Sequence, residues 1–419
     1  MIARIKKSLR SGKAGQTALK FATRSYVLTG VRLAQLGAVV ALVPMEVFGA
    51  SQMVGGILMV ANAICLGGIS TAVTQDAAKT RGIYFKHLLR LAEHLLMVAG
   101  LIVIGLAGWF YWSGRDWQFS LTLLWLGICL RGQSFQLLRD FWIGSGQINR
   151  AVTAELSLGI LSAVASVTGA LLFRDSVLAI ALPPILISEW GWWCFRRNVE
   201  VSPEEPTEEG WRAERRYALA RTGNGFIPAL EIRADRAIVG SFLGFDALAI
   251  FALPRRIIDQ LKALHAAARS VLLPRWTKGD PERTGSEFWL VVVIYFVGLS
   301  LGSLVLFVAA IVVIEYVLPE SYRASIPLLS WYLFGSLLSI PGAVLTVYAT
   351  AKRQVKMETI YQTITSTIGL SLQVILLFQF GLMGMGYAFA VKSLLITVVT
   401  FIVCRDIVPG WSGSSRALG

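Results

Sequence analysis

The sequence predicts an all-α membrane protein of about 12 transmembrane helices, in two pseudo-symmetric six-helix lobes, with the N- and C-termini cytoplasmic. Three observations predict it. The 419 residues are 55% hydrophobic and 15% charged, with a mean hydropathy of +0.63, whereas a soluble domain is about a quarter charged. Apolar stretches follow one another along almost the whole chain. The basic residues are distributed on one side of the stretches they separate.

The expected spans are 25–47, 51–74, 88–112, 119–143, 151–173, 176–195, 221–243, 247–270, 287–314, 324–349, 357–380 and 382–404. Each is near or above the ~20 residues needed to cross a bilayer. With the N-terminus inside, 27 of the 39 Lys and Arg lie in or at the edges of cytoplasmic segments. The external loops hold Arg115, Arg174 and Arg323. That asymmetry fixes an even number of spans. The first 24 residues are basic, but no small-residue cleavage site follows a short apolar core, so no cleavable signal peptide is expected.

The one substantial loop, RRNVEVSPEEPTEEGWRAERRYALA from Arg196 to Ala220, is polar and contains Pro203 and Pro206. It divides the spans six and six. The expected organisation is an N-terminal lobe over 1–200, a cytoplasmic linker over 201–220, in which Trp211 to Tyr217 has the composition of a short interfacial helix, and a C-terminal lobe over 221–419. A faint repeat supports the division. FWIGSGQINRAV around Gln147 and VYATAKRQVKME around Gln354 both end a span in small residues, follow with a Gln-apolar-basic run and begin the next span at once.

The stretch Arg221 to Gly244 carries Glu231, Arg233, Asp235 and Arg236 within six residues of an apolar span. The next span brings Arg255, Arg256 and Asp259. A charge at membrane depth costs roughly 2.5–3.5 kcal/mol on insertion scales, so these groups need partners or water. At ~1.5 Å per residue, an antiparallel pair puts them at one level. Arg32, Arg131 and Lys392 are also deep and have no acid at i±3 or i±4. Two readings follow. Glu231, Asp235 and Asp259 latch helices by pairing with the arginines, or the basic residues line a cavity for an anion, where the guanidinium offers a two-pronged fork. Arg139, beside Asp140, and Lys262 read as snorkelling groups near the cytoplasmic edge. Glu93 and Glu155 lie within two turns of that edge. Trp109, Trp112 and Trp117, and Trp190, Trp192 and Trp193, read as interfacial belts.

No enzyme signature is present. There is no Gly-rich phosphate loop and no nucleophile with a partnered His, and His87, His94 and His265 read as solvated or packing residues. The four cysteines share no metal-like spacing, so neither a metal nor a cofactor is expected. The net charge of +14 suggests nucleic acid at first sight, but short basic loops that set topology account for it.

The pattern resembles the bacterial polysaccharide and oligosaccharide flippases, of the O-antigen type, in the multidrug/oligosaccharidyl-lipid/polysaccharide exporter superfamily. Twelve spans in two halves carry the resemblance over nearly the whole length. The stretch Asp235-Arg236-Ala237-Ile238-Val239-Gly240, then Phe242-Leu243-Gly244 and Ala249-Ile250-Phe251-Ala252-Leu253, looks like the family's seventh and eighth helices. Leu273-Pro274-Arg275 looks like the Pro after the eighth. The resemblance implies a multi-pass protein of the bacterial inner membrane that flips polyprenyl-pyrophosphate-linked oligosaccharide by alternating access. It implies membrane lipids as surroundings, and a polymerase and glycosyltransferases of the same pathway as partners. Arg32, Arg131, Arg233, Arg236, Arg255, Arg256 and Lys392 would line the cavity, with Glu231, Asp235 and Asp259 as pairing or coupling groups. Related lipid II flippases have two extra helices. A multidrug or cation antiporter of the same superfamily is the alternative, but that branch places a deep acid in its first half, where this chain has Arg32. A membrane-embedded glycan polymerase or ligase would need a large external loop.

Overall fold

A computed structural model describes residues 13–114, 116–259, 281–351 and 355–404. Among them every regular element is a helix and no strand is present. Among the described residues, eight helices are long and apolar enough to cross a membrane, or nine if one bent pair counts as a single span. The chain is a multi-pass membrane protein. By packing it divides into two compact units, Met1–Ala234 and Asp235–Gly419.

The first unit contains α1 (Lys13–Leu42), α2 (Met45–Thr80), α3 (Phe85–Trp112), α4 (Trp117–Ile128), α5 (Phe135–Gly144), α6 (Ile148–Leu172), α7 (Val177–Phe195) and α8 (Glu208–Arg233). α1 packs on α6, α2 on α8, α3 on α4, and α6 on α7. Leu66, Ile69, Leu88, Leu96, Phe119, Leu123 and Leu138 fill the unit's interior. Leu101, Ile102, Leu171 and Leu172 face outward, as apolar side chains do when the solvent is lipid. Gly100 and Gly127 let α3 and α4 close up: a Cβ on Gly100 would lie 2.6 Å from the Gly127 carbonyl oxygen. Small residues at such contacts are the usual device for packing helices in lipid.

Three expectations are corrected here. The first span does not run to 47. The helix stops at Leu42, and α2 restarts behind Pro44, whose φ of −56° and ψ of 149° are extended, because proline disfavours helix in the residue before it. Span 221–243 is not one helix. α8 begins at Glu208, where the Thr207 hydroxyl accepts from Gly210 N–H at 3.3 Å and Glu208 and Glu209 meet the positive helix end. It runs unbroken to Arg233, so residues 208–220 are helix on α2 rather than linker. Of the tryptophans read as an interfacial belt, Trp109, Trp112, Trp117, Trp190 and Trp193 are exposed, but Trp192 is buried in the core and belongs to no belt.

The second unit contains α9 (Asp235–Phe242), α10 (residues 244–259), α11 (Pro281–Tyr316), α12 (Ser325–Ala351), α13 (Val355–Phe380) and α14 (Leu382–Cys404). The distal part of span 247–270, with Lys262, His265 and the Leu273-Pro274-Arg275 run, lies outside the described residues. α12 packs on α14, α14 on α13, and α11 on α12. Leu328, Tyr332, Ile340, Leu345, Met385 and Phe251 form the core. Beside Pro341, the Thr397 hydroxyl of α14 donates to the Leu338 carbonyl at 2.6 Å. This supplies an interhelical bond where proline interrupts the helix's own ladder.

Candidate functional site

The site begins at a broken helix. Trp117–Ile128 and Leu130–Gly144 are together long and apolar enough to cross a membrane and are bent by 52°, and a 3₁₀ turn from Leu130 to Ser134 joins α4 to α5. No proline lies between Trp117 and Gly144. The break coincides with the polar run Arg131-Gly132-Gln133-Ser134, where a side chain of another helix bonds the backbone. The Gly132 carbonyl accepts from the Ser188 hydroxyl of α7 at 3.2 Å. Ser188 in turn accepts from Gln133 Nε2 at 3.2 Å, and Gln133 Oε1 accepts from Asn62 Nδ2 of α2 at 2.9 Å. Gly132 is required by proximity: a Cβ there would sit 2.6 Å from both the backbone N and Cα of Glu189.

Beside this break lies a cavity of about 220 Å³. Arg32 and Gln35 of α1, Gln133 of the bend, Gln136 and Arg139 of α5, Glu155 of α6 and Ser188 of α7 contribute to its polar wall. Arg139 is held on one edge. Its Nε and Nη2 donate to Asp140 Oδ1 at 3.2 and 3.0 Å, and the Ser70 hydroxyl donates to Asp140 Oδ2. Its Nη1 is left to reach Glu155 Oε1 at 3.4 Å. Arg32 Nη2 stands 3.8 Å from that same oxygen, on a side chain 54% exposed. One carboxylate oxygen is therefore shared by two guanidiniums from two helices. Asp140 is buried and spoken for, so Glu155 is the acid that faces the cavity.

Arg131 finds its partner across helices. Its Nε and Nη2 donate to Glu93 Oε1 of α3 at 3.1 and 3.0 Å. Glu189 accepts from Trp193 Nε1 at 3.0 Å.

The charged layer of the second unit is a pair of latches. Arg255 Nε of α10 donates to Asp235 Oδ2 of α9 at 2.8 Å, both side chains almost wholly buried. The Arg255 guanidinium also lies 5.9 Å from the ring centres of Tyr332 and Phe389, within cation–π range. Arg236 Nη2 stands 3.7 Å from Asp259 Oδ2. α9 and α10 thus bring Asp235 to Arg255 and Arg236 to Asp259. Arg236 and Arg255 themselves sit in the core against acids. Arg256 and Lys392 are half-buried and Glu231 is buried. The side chain of Arg233 lies outside the described residues.

Of the residues singled out from sequence, the structure thus brings Arg32 to the cavity and pairs Arg131, Arg236 and Arg255. Arg139 and Glu155, read as edge residues, are the ones sequence reasoning missed. A signal was available: Gln133, Gln136 and Arg139 recur every three residues, as do Arg32 and Gln35, and that spacing marks one helix face.

No known protein-family profile matches the chain, and no curated protein matches it by sequence. Solved structures do match. An inward-facing multidrug resistance MATE family transporter of the MOP superfamily shares 14% identity over 95% of this chain and 99% of its own, with TM-score 0.67. The lipid II flippase MurJ, in an inward closed conformation, shares 12% over 92% and 87%, with TM-score 0.70. A MOP superfamily transporter from Pyrococcus furiosus, whose binding pocket of reverse polarity suggests a different function for it, shares 16% over 97% and 98%, with TM-score 0.61. At such identities the likeness is one of fold. The chain has the fold of MOP superfamily transporters.

Proposed function

We propose that the chain is a flippase of the bacterial inner membrane that moves a polyprenyl-pyrophosphate-linked oligosaccharide to the outer leaflet for cell-surface polysaccharide synthesis. One observation carries the reading. Two guanidiniums, Arg32 and Arg139, converge on a polar cavity whose single facing acid, Glu155, is shared between them. Arginine forks suit phosphate oxygens, and the flanking Gln side chains suit sugar hydroxyls. The cavity is smaller than the roughly 300–1,000 Å³ of sites that enclose a drug-sized ligand. It takes a phosphate-sized head, and the glycan extends past exposed Arg32. Of the neighbours in fold, the lipid II flippase supports this reading, whereas the multidrug resistance transporter stands for the alternative. A cation exporter would need the acids of the cavity to outweigh its bases. Alternating access of the two units would expose the site to each leaflet in turn, with the polymerase and glycosyltransferases of the pathway acting on either side.

The test is a leaflet-resolved assay of labelled lipid-linked sugar in a deletion strain. Accumulation on the cytoplasmic side, relieved by the wild-type gene but not by Arg32→Ala or Arg139→Ala at equal protein levels, supports the reading. Normal glycan export with new sensitivity to cationic dyes overturns it in favour of a drug exporter.

A further inference from the structure

We infer that Glu155 is a proton-operated competitor for the substrate's anionic group, so that the cavity binds an anion and a proton together. The inference rests on the anion-site reading above and adds its coupling. The geometry is specific. Glu155 Oε1 is the contact for both Arg139 Nη1, at 3.4 Å, and Arg32 Nη2, at 3.8 Å. An incoming phosphate or sulfate oxygen needs the same two donors, so carboxylate and substrate exclude one another.

Charge balance gives the direction. Arg32, Arg139, Glu155 and Asp140 sum to zero when both acids are ionised. Each negative charge that the substrate's anionic group adds leaves a net negative charge inside a membrane-spanning unit, which is costly. If Glu155 takes up a proton from solvent as the anion enters, one such charge is offset, and for a monoanion the sum stays at zero. The proton resides on the Glu155 carboxyl and both guanidiniums pass to the anion. Asp140 is the reason Arg139 does not collapse when released. Its Oδ1 keeps Nε and Nη2 in place and Ser70 braces its other oxygen, so Nη1 alone is exchanged. The elements packed on α6 bring no further titratable acid to the cavity among the described residues: α1 presents Arg32 and Gln35, the bend Gln133, α5 Gln136 and Arg139, and α7 Ser188. Arg150, on α6 itself, lies over the Trp142 ring and bonds Gln147.

The test uses the full-length protein in nanodiscs and geranyl sulfate, an isoprenoid anion whose charge is constant from about pH 8 to about pH 5. Wild type should bind more tightly as the pH falls, by up to about tenfold per pH unit for one coupled proton. Calorimetry in buffers of different ionisation enthalpy should show uptake of close to one proton. Glu155→Gln should bind at all pH values with the affinity wild type reaches in acid, and Glu155→Asp should keep the pH dependence. Binding without proton uptake by wild type overturns the coupling and leaves the anion site standing, as does a pH dependence unchanged in Glu155→Gln. Absence of binding in wild type and Glu155→Gln throughout the pH range overturns both. The calorimetric result on wild type decides the matter even if the variants do not fold.

Discussion

Arg255 and Asp235 are joined by a 2.8 Å bond between Nε and Oδ2 in the core of the second unit, with side chains only 6% and 3% exposed. Asp235 Oδ1 also accepts the Arg236 backbone N–H at 2.8 Å, where α9 begins. The pair therefore fixes both the start of α9 and its contact with α10. Removing one member leaves the other charge buried, which typically costs about 3–5 kcal/mol. Asp235→Ala and Arg255→Ala should each lower the melting temperature strongly, and Asp235→Leu/Arg255→Met should recover much of it. Melts of the three proteins in one detergent check this. Single variants that melt like wild type would show that the pair does not hold α9 to α10.

Glu214 should make the docking of α8 on α2 sensitive to pH. It lies outside the spans. Burial pushes its carboxyl above the usual range, the charge of Asp76 pushes it further, and Lys79 partly opposes both. Asp76 is anchored by the Thr80 hydroxyl and by Tyr84 N–H at 3.1 Å. A raised folded pKa means the ionised form is the disfavoured one. The stability Glu214 contributes is thus present below the normal carboxylate range and is lost as pH rises through its raised value. Glu214→Gln should melt higher than wild type at neutral pH and equally at acid pH. Hydrogen exchange along α8 should slow in wild type on acidification and change less in the variant.

The fold was legible because its cause is compositional. Long apolar runs and basic loops report membrane spans and their direction whatever the helices pack against. The breaks were legible in part. Pro44 marks the end of α1 in plain sight, but the bend at Leu130–Ser134 comes from a polar run and from Ser188, 56 residues away. Partners were illegible for the same reason. Arg131 and Glu93 are 38 residues apart, and Arg139 and Glu155 are 16 apart. A search at i±3 and i±4 finds only bonds within one helix. Arg139 looked peripheral because depth was counted along the chain, while the cavity is built by residues from four helices.

The bend gives a prediction with its own control. A Cβ on Gly132 meets backbone atoms of Glu189 at 2.6 Å, which cannot swing aside, whereas Gly105 on α3 has nothing within 4 Å of that position. Gly132→Ala should cost about 1–3 kcal/mol by overpacking and should disturb the Ser188 bond that shapes the cavity. Gly105→Ala should be neutral or stabilise by about 0.5–1 kcal/mol, as Ala for Gly within a helix does. Parallel melts and export assays of the two variants test it. Equal behaviour would mean that α7 can move away from the bend.

Arg139 and Asp140 should separate positioning from contact in the cavity. Arg139→Lys keeps the charge but has no fork. A lysine cannot hold Asp140 with one edge and present a second donor to the cavity. It should therefore fall well short of rescue, with export nearer Arg139→Ala, for which a loss of about 10- to 100-fold is expected from one charge-assisted contact of about 1.5–3 kcal/mol. Asp140→Asn keeps shape and weakens the grip on Nε and Nη2. It touches no substrate, so it should weaken anion affinity without abolishing it. Loss should be larger for a flexible isoprenoid phosphate than for inorganic sulfate, which can follow a displaced guanidinium. Titrating both ligands against wild type, Arg139→Lys and Asp140→Asn separates the roles. Full activity in Arg139→Lys would mean that only charge is read at this position.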